Sequence, residues 1–249
     1  MAEPLIIEKR EGVEVVRMQF GRANALGPQV VGELATALAR GGTRPAVLTG
    51  SGKTFSAGLD LISLDPLDRT DLEQFVDRFS ALMVQVLTTR RPLVAAVNGH
   101  AIAGGCVLAL ACDYRVGTAG DFKVGMNELA IGLTLPAVAL EIPRGALTPT
   151  ALRRVVLNAE LMGPEEALSL GLFDEVAEDS EAAVERACQI ARQLGREPGP
   201  FASVKGSVVL PIADGIRARR RALDRRFVET WFSEPATQAR KAAIERLTG

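Results

Sequence analysis

The chain has 249 residues, 47% of them hydrophobic, and 29 lysines and arginines against 30 aspartates and glutamates give a formal net charge of −1. This suits one large domain, or one domain with a helical appendage, and its near-neutral balance leaves no electrostatic footprint for nucleic acid. No uninterrupted apolar run approaches the roughly 18–20 residues that cross a bilayer, and the acid-bearing start Met1-Ala-Glu-Pro-Leu-Ile-Ile-Glu8 reads as neither signal nor transit peptide, so a cytoplasmic location is expected.

In chain order, the apolar runs from Leu5 and from Val13 to Phe20 flank Glu11-Gly12, which predicts a hairpin. Val31, Leu34 and Leu38 recur at helical spacing within Pro28 to Ala39. Ala46-Val-Leu-Thr49 reads as a short buried strand. Asp71 to Thr88 reads as an amphipathic helix with Phe75, Phe79, Leu82, Met83 and Val86 on one side. Pro92 to Val97 predicts another strand, a helix is expected from near Gly104 to about Cys112, and Tyr114-Arg-Val116 and Phe122-Lys-Val124 read as short strands. Strand and helix in alternation predict an α/β architecture. After Pro136 the pattern is mainly helical: Thr148 to Asn158, Pro164 to Leu170, Ser180 to Leu194, and everything from Phe201 on. Arg196-Glu-Pro-Gly-Pro200 reads as a linker, dividing a core domain (1–199) from a C-terminal helical region (200–249).

Two glycine-bearing segments stand out, Phe55-Ser-Ala-Gly-Leu-Asp-Leu61 and Ala103-Gly-Gly-Cys106. A strand running through small residues into a helix leaves backbone N–H groups unpaired. Two such places can aim two donors at one developing negative oxygen, an oxyanion hole made of main chain. Each segment alone also reads as a tight turn that needs no Cβ. Glu128, in Met126-Asn-Glu128, is followed by the apolar run Leu129 to Pro136. In such surroundings a carboxyl has a raised pKa and can both accept and donate a proton near neutrality; a surface acid is the alternative. Together the segments point to proton transfer beside a thioester carbonyl.

Other candidates carry less. Cys106, Cys112 and Cys188 are too few and scattered for a disulfide framework, and with one histidine, His100, a structural metal site is not expected. Thr49-Gly-Ser-Gly-Lys-Thr54 looks like the end of a phosphate-binding loop, but Val47 stands where that pattern needs glycine, and no long helix starts at Thr54. The basic run from Arg217 to Arg226 reads as a solvated helix face, or as a phosphate contact to a nucleotide-bearing ligand.

Across nearly the whole chain these residues resemble the crotonase superfamily of enoyl-coenzyme A (enoyl-CoA) hydratases and isomerases. The likeness runs from Asn24-Ala-Leu26 through the Phe55 segment to Val97-Asn-Gly-His-Ala-Ile-Ala-Gly-Gly-Cys106, then to Gly163-Pro-Glu-Glu-Ala-Leu-Ser-Leu-Gly-Leu172 and Lys205. Within it the pattern is most similar to the monofunctional Δ3,Δ2-enoyl-CoA isomerases. The hydratases carry one glutamate right after Gly-Gly-Cys and a second one later; here the first position is Val107 and the second is Glu128. The resemblance implies a spiral of βα turns with a helical C-terminal trimerisation region, assembled as a homotrimer or a dimer of trimers. It implies an oxyanion hole from the N–H groups of Leu59 and Gly104. It implies CoA contacts along Ala57, Gly58, Asp60 and Leu61, Asn127 beside the substrate, and Glu128 as proton carrier. The implied substrate is an acyl-CoA, fatty-acid β-oxidation being the default pathway, with no cofactor beyond the coenzyme A of the substrate.

Overall fold

The computed structural model describes residues 4–21 and 23–248; the first three residues of the acid-bearing start lie outside them. Strands β1 (Leu5–Arg10) and β2 (Val13–Met18) form the expected antiparallel hairpin. Its turn residues, Glu11 (φ 47°) and Gly12 (φ 83°), are both left-handed, as a two-residue type I′ turn requires.

From β3 onward the chain repeats one operation. It lays a strand in a first sheet, a shorter strand in a second sheet, and then a helix. The first sheet has the order β1-β2-β3-β5-β7-β10, with β3 (Ala46–Thr49), β5 (Leu93–Val97), β7 (Tyr114–Thr118) and β10 (Glu175–Ala177) parallel to β2. The second has the order β4-β6-β8-β9. Here β4 (Thr54–Ser56), β6 (His100–Ile102) and β8 (Val124–Gly125) are parallel, and β9 (Leu161–Met162) runs antiparallel to β8. Between and after these strands come α1 (Pro28–Arg40), α2 (Leu61–Leu64), α3 (Arg69–Thr88), α4 (Gly104–Leu110), α5 (Ala137–Ala146), α6 (Pro149–Leu157), α7 (Pro164–Ser169) and α8 (Ser180–Leu194). The C-terminal pair is α9 (Pro198–Trp231) and α10 (Glu234–Thr248).

The alternation of the parallel strands decides which layer each residue joins. Val16, Leu48, Ala95 and Val97 face the main core, where α1, α3, α4, α5 and α6 bury their apolar stripes. Val15, Val47, Val94, Ala96 and Val116 face the other way and are covered by Ala183, Val184, Ala187, Cys188 and Ile190 of α8. Covered on both faces, the strands can be apolar throughout. Among the described residues no helix is long and apolar enough to cross a membrane.

Several elements depart from the sequence expectations. Strands β4, β6, β9 and β10 have only two or three residues, too short to show a period. Helix α5 carries Pro143 in its interior, a residue that reads as a helix breaker. The last three residues of the expected linker, Pro198-Gly-Pro200, are the first turn of α9, where proline's missing N–H costs nothing. The C-terminal helices turn back on their own chain: α9 packs on α3 and α5, and α10 on α2 and on the 3-10 turn at Glu128–Ile131. The buried ion pair Lys205–Asp113 (2.8 Å) fastens the first half of α9.

Candidate active site

Three segments leave the second sheet at the carboxyl ends of neighbouring parallel strands. Ala57-Gly58-Leu59 follows β4, Ala103-Gly104 follows β6, and Met126-Asn127-Glu128 follows β8. In open parallel sheets such ends are where ligands are bound. The strand order β4-β6-β8 therefore joins residues that lie about 70 positions apart in the sequence.

The first segment is shaped by Asn24. Its Oδ1 accepts from the Phe20 N–H (2.8 Å), its Nδ2 donates to the Thr54 carbonyl (3.0 Å), and its own carbonyl accepts from Ser56 Oγ (2.8 Å). Against that frame the Ala57 N–H donates to the Ala23 carbonyl (2.9 Å), the Gly58 N–H to Ser56 Oγ (3.3 Å) and the Asp60 N–H to the Leu26 carbonyl (3.3 Å). Among the described residues the Leu59 N–H has no acceptor. The Asp60 carboxylate caps α2, accepting from the Ser63 N–H (3.4 Å), and Leu61 is the first residue of that helix.

The second segment lies against the first. A Cβ at Gly58 would stand 2.8 Å from the Ile102 carbonyl oxygen and 3.2 Å from the Gly104 nitrogen, and one at Gly105 only 2.2 Å from the Ser56 carbonyl. Gly58 also has φ +88°. Both space and conformation demand glycine there. Ala103 precedes α4 with φ 51° and ψ −122°, and its N–H donates to the Gly125 carbonyl (2.8 Å). Its twist starts α4 at Gly104, whose N–H, in the first turn, has no acceptor among the described residues. Two unengaged amides thus belong to backbones in contact.

The third segment brings the acid. β8 pairs Gly125 with Ile102, so the turn that follows rises beside the start of α4. Glu128 is 8% exposed, and its Oε2 is buried without a hydrogen-bond partner among the described residues. Burial pushes its pKa up to about 7, opposed only by a hydrogen bond from its own N–H. The thiol of Cys106 on α4 feels the Glu128 charge, and burial chiefly pushes it up to about 12, so it stays protonated. Asn127 is half-buried, and its carbonyl accepts from the Ala130 N–H (3.1 Å), closing the 3-10 turn. Val107 is fully buried in the main core.

Other sequence candidates fall outside this place. The Thr49–Thr54 stretch is a turn closed by a Ser51–Thr54 bridge and by Asn98, which accepts from the Gly50 N–H (2.8 Å). His100 uses Nδ1 to accept from the Lys123 N–H (3.0 Å) and stacks edge-on with Phe122. Arg217, Arg220, Arg221 and Arg225 line a groove of about 510 Å³ between α3 and α9, which Glu128, Leu59 and Gly104 do not line. Most of these arginines are paired locally: Arg217 with Asp214, Arg220 with Asp77 and Asp224, and Arg225 with Glu229. Asn24 is the residue whose part in the site only the structure reveals; its signal in the sequence was a lone asparagine before Ala25-Leu26.

The sequence model of the enoyl-CoA hydratase/isomerase family matches residues 8–248. The chain belongs to that family. A crotonyl-CoA hydratase of Syntrophomonas wolfei is 31% identical over 186 residues, 72% of this chain and 71% of that protein. Among solved structures, human mitochondrial delta3-delta2-enoyl-CoA isomerase is similar with a TM-score of 0.91 at 25% identity, covering 98% of both chains. A Mycobacterium tuberculosis protein, described as an enoyl-CoA isomerase in one solved structure and as a probable enoyl-CoA hydratase in another, gives 0.84 at 31% identity in the first, covering 91% of this chain and 100% of that one. The α/β fold with its helical C-terminal region is the crotonase fold, and the chain is an enzyme of the crotonase family. Its relatives bear hydratase and isomerase names alike, so the division between those reactions rests on the site itself.

Proposed function

We propose that this enzyme moves the double bond of a 3-enoyl-CoA into conjugation with the thioester, as a Δ3,Δ2-enoyl-CoA isomerase. The observation that carries this is the Glu128 carboxyl, buried with an oxygen that has no partner among the described residues, with valine at position 107. Addition of water across a conjugated double bond divides two tasks, activating water and protonating carbon, between two acids. Shifting a double bond needs one group that takes a proton and returns it.

Glu128 removes a proton from C2 of the 3-enoyl thioester. The electron pair left behind spreads over C2 to C4 and onto the thioester oxygen. The N–H groups of Leu59 and Gly104 donate to that oxygen; in other enzymes the loss of one such donor costs about 3–4 kcal/mol of barrier. Protonated Glu128 then delivers its proton to C4, and the double bond closes between C2 and C3. One carboxyl can serve both carbons because a single carbon separates them. One proton leaves and one arrives, so the reaction balances with no redox partner. A pKa of about 7 suits the task, since it makes both directions of transfer accessible at neutral pH. The coenzyme A of the substrate runs along Ala57, Gly58, Asp60 and Leu61, with Asn127 beside the acyl group. The expected assembly is a trimer or a dimer of trimers, in a cytoplasmic setting.

Glu128→Gln tests the reading. Conversion of 3-enoyl-CoA to the conjugated 2-enoyl-CoA, followed by ultraviolet absorbance, should fall by about 10²–10⁴, while acyl-CoA affinity is kept. Water addition to 2-enoyl-CoA by the unmutated enzyme would defeat it in favour of another crotonase-type reaction. Binding without turnover in the unmutated protein would make it a noncatalytic acyl-CoA carrier.

A further inference from the structure

Beyond Gly125 the turn that carries Glu128 leaves the sheet, and its far side is held by the C-terminal helices. Gly132 lies against α10, where a Cβ would stand 3.5 Å from the Ala236 nitrogen. Thr134 is bound twice by α9: its N–H donates to Thr230 Oγ1 (3.2 Å), and the two hydroxyl oxygens are 3.1 Å apart. Thr230 gives its one hydroxyl proton to the Phe227 carbonyl (2.9 Å), so the proton between the two threonines comes from Thr134. Thr230 Oγ1 then has its proton and both lone pairs engaged. Further on, the Ala137 N–H donates to Asp224 Oδ1 (2.8 Å). This opens α5, whose preceding residue, Pro136, offers no side-chain cap. The other oxygen of Asp224 is held by Arg220 Nε (3.3 Å) and Ser80 Oγ (3.5 Å). The Leu133 N–H returns to the Glu128 carbonyl (3.0 Å), so a displacement at Thr134 reaches the acid across one residue.

We propose that Thr230 and Asp224 are positioning residues of the acid: through residues 132–137, α9 sets where the Glu128 carboxyl stands relative to the amides of Leu59 and Gly104. This rests on the reading of Glu128 as the proton carrier. The elements packed around this turn carry, among other ionisable groups, Cys106 on α4, Glu141 and Arg144 on α5, Arg219, Arg220, Asp224 and Glu229 on α9, and Glu234, Arg240 and Lys241 on α10. The displacement of the Glu128 pKa comes from burial. Loosening the turn admits water and moves that pKa down.

Thr230→Val keeps the side-chain shape and removes the hydroxyl, whereas Thr230→Ser keeps the hydroxyl. The valine variant should lose about ten- to a hundredfold in kcat, the scale of a misplaced catalytic group, with KM little changed. The carboxyl titration of Glu128, read by carbon-13 NMR without substrate and assigned with Glu128→Gln, should move below the value of about 7. Serine should restore both. Should the valine variant prove too unstable, Thr134→Ala, which loses one of the two bonds, should show a smaller shift in the same direction. A fall in melting temperature with kcat and titration unchanged would make Thr230 a packing residue and overturn the proposal, as would a serine variant as impaired as valine. Because the titration needs no turnover, an unmutated enzyme that fails to isomerise 3-enoyl-CoA sinks the proposed reaction, and an unmoved titration sinks this inference.

Discussion

Ala103 sits at φ 51° and ψ −122°, a conformation that side chains with a Cβ rarely adopt. Its N–H is fixed to Gly125 and its carbonyl to Val107, so the surroundings hold the strain, and the strain frees the Gly104 amide. Ala103→Gly should relieve it at some cost in backbone entropy, raising stability by about 1 kcal/mol; a urea melt whose midpoint does not rise would contradict this. Glu128 makes the opposite kind of sacrifice. Its folded pKa of about 7 lies above the ordinary 4.5, so the folded state holds the proton more tightly than the unfolded state. Stability from this group is fully present below about pH 4.5 and is lost as pH rises through about 7. Glu128→Gln should abolish that loss and be more stable than the parent above neutrality, by on the order of 2–3 kcal/mol, as read from denaturation at pH 5 and pH 8. Proton abstraction needs the ionised form, so kcat/KM should climb with pH through the same region.

At the scale of elements, α9 depends on a buried charge pair. Lys205 Nζ lies 2.8 Å from one Asp113 oxygen and 2.9 Å from the other, and Asp113 also accepts from the Leu93 N–H (2.8 Å) at the start of β5. Burial pushes the Asp113 pKa up even with Lys205 beside it, so the carboxylate needs its partner. Lys205→Ala should cost about 3–5 kcal/mol by leaving a buried charge unpaired. The double variant Lys205→Met with Asp113→Asn should cost clearly less. Equal losses in the two would mean that the packing of the lysine stem, not the charge, secures the helix. At the other end, Arg240 of α10 is buried over the Trp231 ring (4.2 Å) and bonds the Trp231 carbonyl and Asp65 (3.0 Å). One guanidinium thereby ties α10 and α9 to the segment after α2, a task its planar fork suits and an ammonium does not.

For the whole molecule, the repeated strand–strand–helix turn makes one active site from three places in the sequence. The short second sheet puts the carboxyl ends of β4, β6 and β8 side by side, while the larger sheet, buried on both faces, supplies the bulk of the core. The C-terminal helices cover their own core, yet α9 leaves Val204, Val208 and Leu210 exposed. Val204 and Val208 stand one turn apart, an exposed apolar pair that fits the proposed assembly of further copies of the chain. Sedimentation should give three or six chains per particle, and Val204→Glu with Val208→Glu should lower that number; a monomeric parent would refute the expected assembly.

The sequence by itself determined much of the frame: the hairpin at Glu11-Gly12, the helices whose apolar residues recur every third or fourth position, and the α/β alternation. It also showed the two glycine-bearing segments and the acid, because these depend on local properties of the chain. The strands β4, β6, β9 and β10 were illegible for want of length, and α5 because Pro143 reads as a stop. That the Leu59 and Gly104 amides lie on touching backbones, and that Glu128 is buried with a free oxygen, only the tertiary structure decided. Proximity between distant segments is a property of strand order, and the pKa of a carboxyl depends on what folds over it.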